Sequence, residues 1–293
     1  MKEDYANALE VKNISKKYPG FELKDINMVL PKGCIMGIIG ENGAGKTTTI
    51  KAMLNIIKVD SGSINIFELD HIKEETTIKE NIGVVFDEMG FPKQFTPKHL
   101  NKMFKHIYKT WDEEQFFEYL TQFGLPHNRK SGRFSRGMQM KLQIAVALSH
   151  DAKLLILDEP TSGLDPIVRN EVLDIFLKYV ENEEHSILIS SHITSDLEKI
   201  ADYITFIDKG SILFSDDRIS IMESFGLLHV EKEKVKDIDR EHVVGVRKSS
   251  FGADVLVKNP DKVKKKYPDY SMDKPNLEDV MVFHVLGKNA DTM

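Results

Sequence analysis

One cysteine in 293 residues, Cys34, leaves no possibility of a disulfide within the chain and gives no sign of an oxidising compartment. It stands in the apolar run CIMGIIG and is expected to be a small core residue. Long hydrophobic runs are also absent. No stretch approaches the roughly 20 apolar residues that span a bilayer, and the opening MKEDYANALE lacks the apolar segment of a secretion signal. The expectation is a soluble, cytoplasmic chain. An excess of positive charge is missing too: 40 basic residues face 46 acidic ones, for a formal net charge of -6. That balance gives no reason to expect nucleic acid as a partner. Internal repeats and low-complexity tracts are absent, and the length suits one large domain with a small appendage.

What is present reads as an α/β chain. From Leu9 to Leu30 apolar and polar residues roughly alternate, predicting two antiparallel strands around a turn at Pro19-Gly20. A fully apolar strand, Cys34 to Ile39, runs into the Gly-rich stretch GENGAGK and then a helix. SGSINIFEL returns to strand, and IGVVF is another short one. Residues of about 90 to 150 read as a helical insertion: Thr96-Pro97 supplies a cap and a first-turn proline, Asp112 and Gln115 a capping pair, and Gly124 a stop. AKLLILDEP and HSILISSH are apolar strands separated by a helix from about Pro166 to Val180, the pattern of a buried parallel sheet. YITFIDKGSILFS is a hairpin turning at Asp208-Lys209-Gly210. Residues 221 to 293 are expected to form a small α+β domain: a hairpin in HVVGVRKSSFGADVLVKN, a basic loop in PDKVKKKYPD, and a helix in NLEDVMVFHVLGK capped by Asn276 and ended by Gly287.

The chemistry concentrates in three places. Gly40 to Thr47 matches G-x-x-x-x-G-K-[ST] between a buried strand and a helix, the context of a phosphate-binding loop. Its glycines let successive N–H groups face an anion, Lys46 reaches the terminal phosphates, and Thr47 is placed to ligate Mg²⁺. LLILDEP delivers Asp158 at a strand end, where a carboxylate holds Mg²⁺, and Glu159 follows it as a candidate base for the attacking water. His192 leaves another apolar strand at the same sheet edge, where open α/β folds bind ligands, and is a candidate γ-phosphate contact.

In order along the chain stand the phosphate loop 40–47, FSRGM 134–138, LLILDE 154–159, SGLD 162–165 and His192. With this set, roughly the first 220 residues resemble the ATP-binding subunits of ABC transporters. The resemblance implies a P-loop ATPase with a RecA-like parallel-sheet core, an antiparallel β subdomain and a helical subdomain over 1–220, and leaves 221–293 as an accessory domain. It implies ATP held by Asn42, Gly43, Ala44, Gly45, Lys46, Thr47 and Thr48, with Tyr18 stacking on adenine. It further implies that Ser135 and Gly137, in the signature position, cover the phosphates bound to a facing subunit. Ser135 is also placed to cap a helix running to Ser149, whose positive end favours an anion.

Two departures from the family pattern stand out. Phe134, Arg136 and Met138 replace three of the five residues of Leu-Ser-Gly-Gly-Gln, and Arg136 either adds a cation to the interface or extends into solvent. Asp87 stands where the family has a Gln that contacts Mg²⁺ and the region touching the membrane subunit. It still offers an oxygen to the metal, with a formal charge that the amide lacks.

The loop NGAGKTTTIK, the signature variant and NLEDVMVFHVLG look similar to bacterial exporters of the bacitracin-resistance and antimicrobial-peptide type. That implies a separately encoded transmembrane permease, a homodimer or a heterodimer with a related ATPase, and a place on the inner face of the cell membrane. The alternative class is a soluble ABC ATPase acting in regulation, on DNA or on ribosomes. The short insertion and the single ATPase unit favour the transporter.

Overall fold

The computed structural model describes residues 6–290, with side chains through residue 287; the opening MKEDY and the closing DTM lie outside the described residues. The chain divides into two compact units between Ser215 and Asp216.

In the first unit, β1 (Asn7–Tyr18) and β2 (Phe21–Pro31) form the expected hairpin, with Tyr18 opposite Phe21. They are followed by β3 (Ile35–Ile39), α1 (Lys46–Met53), β4 (Ser61–Ile66), β5 (Leu69–Asp70), α2 (Glu75–Glu80) and β6 (Ile82–Val85). SGSINIFEL is thus two strands rather than one. Phe67 and Glu68 both take positive φ, 55° and 61°, and make the two-residue hairpin turn whose twist suits antiparallel neighbours. The helical insertion holds α3 (Pro97–Phe104), α4 (Glu113–Gln122) and α5 (Arg136–Leu148). Each helix start has a side-chain cap: Thr96 accepts from the His99 amide, Asp112 from Gln115 and Ser135 from Met138. Then come β7 (Leu154–Asp158), α6 (Pro166–Tyr179), β8 (Ser186–Ser191), α7 (Thr194–Ile200), β9 (Tyr203–Asp208) and β10 (Ser211–Asp217).

These strands make two sheets. One is antiparallel, in the order β2-β1-β4-β5; the other runs β10-β9-β3-β8-β7-β6, with β6, β7, β8, β3 and β9 parallel. Every residue of β3, β7 and β8 is buried, which is why these segments read as mainly apolar, with polar residues confined to the ends of β7 and β8. β2 alternates buried and exposed positions because only one of its faces is covered. Cys34 lies just before β3 and is half-buried against the core rather than within it. Burial first, then the charge of Asp202, pushes its thiol above the usual range. Among the described residues, no helix is long and apolar enough to cross a membrane.

The second unit contains α8 (Arg218–Glu223), β11 (Phe225–Val230), β12 (Val243–Lys248), β13 (Ala253–Lys258), α9 (Pro260–Lys266), β14 (Ser271–Asp273) and α10 (Leu277–Ala290). Its sheet runs β12-β13-β11-β14, with antiparallel neighbours throughout. One face packs Leu227 and Leu256 with Phe283 of α10, and the other packs Leu228, Val255 and Val257 with Val263 of α9. Two expectations are corrected here. The basic PDKVKKKYPD is a helix rather than a loop: Pro260 opens it and Lys264, Lys265 and Lys266 crowd its last turn, where the helix dipole favours cations. Nor does Gly287 end α10, which continues to Ala290. A Cβ at Gly287 would stand 1.9 Å from the Val244 carbonyl oxygen, so this glycine permits close approach of helix and strand.

His229 ties three strands of this sheet. Its Nδ1 lies 2.8 Å from Asp254 Oδ1 and its Nε2 3.2 Å from Asp273 Oδ2, while Arg247 also donates to Asp254. Burial lowers the affinity of His229 for a proton, but the hydrogen bonds to Asp254 and Asp273 outweigh it and raise its pKa above the ordinary value. A raised folded-state pKa stabilises fully below the unfolded value, near 6.5, and the benefit is lost as pH rises through the folded one. The second unit is therefore expected to unfold at lower temperature at about pH 8 than at about pH 6. His229→Gln should flatten that difference, and thermal unfolding at the two pH values checks it.

Candidate functional site

Strand register brings the chemistry to one sheet edge. Ile39 pairs with Ser191, and Asp158 pairs with Ser190, so the phosphate loop, the acidic pair and His192 all leave neighbouring parallel strands at their carboxyl ends. The loop between β3 and α1 is built by glycine. Gly43 and Gly45 have φ of 83° and 119°, and a Cβ on Gly40 would meet the Ile207 carbonyl oxygen at 2.3 Å. α1 begins at Lys46 with no acidic residue in its first turn, leaving its positive end open to an anion.

A cavity of about 550 Å³ lies over this loop, lined by Asn42, Gly43, Gly45, Lys46, Thr47 and Thr48 and walled by carboxylates. Ala44 is buried beneath the loop instead, its amide bonded to the Glu41 carbonyl. Lys46 is 5% exposed, and its ammonium folds back to donate to the carbonyls of Gly40, at 2.7 Å, and Glu41, at 3.3 Å. It also lies 3.1 Å from Glu159 Oε1, without hydrogen-bond geometry, so that buried oxygen has no hydrogen-bond partner. A buried cation beside a buried oxygen that lacks a hydrogen bond, in a polar cavity, fits an anionic substrate and its attendant water.

Asp158 is the hub. Thr47 Oγ1 donates to its Oδ2 at 2.9 Å, and Ser190 Oγ donates to its Oδ1 at 2.7 Å. Ser190 Oγ in turn accepts the Glu159 amide at 3.0 Å. Glu159 takes a left-handed conformation, φ 52°, unusual for a side-chain-bearing residue and of the kind that gathers at functional sites. The turn aims its carboxylate at His192, whose Nδ1 lies 2.7 Å from Oε2. A continuous hydrogen-bonded chain thus runs Thr47, Asp158, Ser190, Glu159, His192.

Ser135 caps α5 at some distance along the sequence, beside a second cavity of about 400 Å³ lined by Ser135, Arg136, Gly137, Gly163 and Asp165. Asp165 caps α6 by accepting from the amides of Ile167 and Val168. Asp87 follows β6 and lines the phosphate cavity, and it forms an ion pair with Arg136. Arg136, about half exposed, is thus paired within its own chain in this conformation. Tyr18 is 38% exposed, with Lys16 over its ring, and it does not line the phosphate cavity. Phe21, across the hairpin, does line it and reaches the would-be Cβ of Gly45 at 3.2 Å. Ser190 and Phe21 escaped sequence reasoning. ISSH reads as a plain strand end, and Phe21 reads as one more alternating apolar residue; only cross-strand register reveals either.

A fold of this topology with this chain of side chains is that of an ATP-hydrolysing cassette, and residues 23–162 match the ABC transporter family. The chain belongs to the ATP-binding subunits of ABC transporters, as its relatives show. It is 36% identical over 208 residues to the bacitracin transport ATP-binding protein BcrA of Bacillus licheniformis, covering 70% of this chain and 68% of that protein. It is 28% identical over 289 residues to the ABC transporter ATP-binding protein YtrB of Bacillus subtilis, covering 96% and 99%, so that likeness includes the second unit. A solved ATP-binding subunit of an ABC transporter superposes with a TM-score of 0.66 at 26% identity, over 73% of this chain and 91% of that one.

Ser190→Ala deletes a buried, charge-assisted hydrogen bond to Asp158 and should lower the stability of the first unit by about 1.5–3 kcal/mol. Thermal or denaturant unfolding measures it. An unchanged midpoint would show that Thr47 alone orients the carboxylate.

Proposed function

We propose that Lys46 and the loop amides hold the phosphates of ATP, that Thr47 and Asp158 hold Mg²⁺, and that Glu159 is the general base, oriented by His192. The single observation that carries this reading is the unbroken hydrogen-bonded chain from Thr47 to His192. The donor set fits the metal. Thr47 and Asp158 would offer it hard oxygen donors, a hydroxyl and a carboxylate, side by side at the phosphate cavity. When bound, Mg²⁺ offsets charge on the β- and γ-phosphates as the transferred group leaves.

The residues of the chain do the rest. Lys46 exchanges the Gly40 and Glu41 carbonyls for phosphate oxygens, which draws its ammonium away from Glu159. Glu159 then accepts a proton from the water that attacks the γ-phosphate, and its left-handed backbone holds the carboxylate over the loop. His192 keeps Glu159 Oε2 in place and contacts the γ-phosphate from the exposed side of the cavity.

Ser135 and Gly137 act on the nucleotide of a facing subunit, a second copy or a related ATPase. The support is physical. A Cβ at Gly137 would make only ordinary contacts, with Leu164 and Val168 at 3.7 Å, so nothing in this chain requires glycine there. Gly137 lies in the first turn of α5, where backbone N–H groups are open to a phosphate that approaches from outside. Tyr18, beside the turn of the β1–β2 hairpin and opposite Phe21, is the adenine contact.

The partner that couples ATP turnover to transport is a separately encoded transmembrane permease, which holds this subunit at the cytoplasmic face of the membrane. It docks on a largely apolar groove of about 570 Å³ lined by Leu54, Ile56, Ile82, Val84, Phe86 and Ile107, of which Phe86 immediately precedes Asp87. Export of a peptide antibiotic is the transport reading favoured by the likeness to BcrA.

Lys46→Ala should abolish nucleotide binding or hydrolysis. Glu159→Gln should keep ATP binding, lose at least about a hundredfold in turnover as expected for loss of a general base, and accumulate as an ATP-dependent dimer. Phosphate release and sedimentation read both. Near-normal turnover by Glu159→Gln would remove Glu159 from the role of base.

A further inference from the structure

The two departures from the family pattern, Asp87 and Arg136, meet. They are 49 residues apart in sequence, yet the Arg136 guanidinium is ion-paired with Asp87 Oδ1. The meeting is built from both sides. Two turns further along α5, Gln143 is 4% exposed and clamps Phe86 twice: its Nε2 donates to the Phe86 carbonyl at 3.1 Å and its Oε1 accepts the Phe86 amide at 3.4 Å. That fixes α5 against the end of β6, one residue before Asp87. On the other side Gly163, at φ 68°, leaves open the space where its Cβ would stand 3.1 Å from the guanidinium carbon of Arg136. Ser162 Oγ lies 3.5 Å from the same guanidinium nitrogen that meets Asp87.

The electrostatics of the phosphate cavity give this pair a task. Its lining holds four carboxylates, Glu41, Asp87, Asp158 and Glu159, against the single ammonium of Lys46. An anionic ligand enters against that balance, and each added carboxylate raises its cost. Asp158 and Glu159 have metal and water to serve, but Asp87 adds a formal charge where an amide would add none.

We propose that Arg136 is the counter-charge of Asp87, a positioning residue that neutralises and holds a carboxylate facing the phosphate cavity, so that position 87 offers the nucleotide an oxygen without a net charge. This rests on the nucleotide reading of the site given above. Both partners are about half exposed, so the pair is of modest strength and sensitive to salt. It works in cis, on the nucleotide of its own subunit, although Arg136 also borders the cavity beside Ser135 and Gly137. Arg136→Ala alone uncovers the charge. Asp87→Gln alone removes the need for cover, and the double variant is balanced again.

The test is a double-mutant cycle on the full chain, reading the affinity of the monomer for ATP in EDTA, where closure of a dimer does not contribute, and again with Mg²⁺. Arg136→Ala should weaken metal-free ATP binding by roughly 1.5-fold to fivefold, the range of an exposed ion pair. The loss should be smaller with Mg²⁺ and smaller at high salt. Arg136→Lys should retain most of the affinity, and Arg136→Ala with Asp87→Gln should bind ATP as well as Asp87→Gln alone. Unfolding midpoints of all five proteins identify any variant whose loss is one of folding, in which case the Lys variant and the double variant decide. Two results overturn the proposal: Arg136→Ala binding ATP like the wild type, or an Arg136→Ala loss that persists unchanged in the double variant, which would show that Arg136 acts on ATP independently of Asp87. Wild-type chain that binds no ATP overturns the nucleotide reading and this proposal with it.

Discussion

The pairing of Asp158 with Ser190 across two buried parallel strands is the constraint on which the site depends. It places a hydroxyl 2.7 Å from one oxygen of a carboxylate that is 3% exposed, and it leaves the other oxygen for Thr47 of the phosphate loop. A carboxylate buried so deeply is tolerated because it is hydrogen-bonded from both sides. The same Ser190 receives the Glu159 amide, so the chain turns sharply and directs the next carboxylate toward His192. A shift of one residue in this register would move Ser190 away from Asp158 and separate the loop from its acid.

Function follows from what this edge leaves incomplete. Lys46 is satisfied by carbonyls of its own loop and Glu159 Oε1 has no hydrogen bond, an arrangement that an entering anion with its water can complete. The first turn of α5 is incomplete in another sense. Gly137 is spacious where its own chain asks for no space, which turns that surface outward. Between the two lies the Arg136 and Asp87 pair, bordering both cavities and joined to β6 through Gln143. Occupation of the phosphate cavity and the set of α5 therefore share a physical link within one subunit.

Local pattern was enough to read the buried strands, the hairpins at Pro19-Gly20 and Lys209-Gly210, the capped helices and the phosphate loop, because each is decided by residues adjacent in sequence. Asp158, Glu159 and His192 were legible because a buried strand must release its next polar residue at the sheet edge. The misses have a common physical cause. Ser190, Phe21 and the partner of Arg136 are set by contacts across strands or across 49 residues, which no local pattern encodes. Gly287 looked like a helix stop by propensity, but its role is set by the Val244 carbonyl packed against it. The lysine run 264–266 looked like loop because it has no apolar period, yet Val263 alone buries enough to seat the short helix on the sheet.

The central claim is that Asp158, held by Thr47 and Ser190, is the anchor of a metal–nucleotide site. Electron paramagnetic resonance of Mn²⁺ in place of Mg²⁺, with ATP present, measures it directly. The wild-type chain should retain one Mn²⁺ per bound ATP in a protein-ligated state, and Asp158→Asn should lose that state while still binding ATP without metal. The same protein-ligated Mn²⁺ signal in Asp158→Asn would contradict the account.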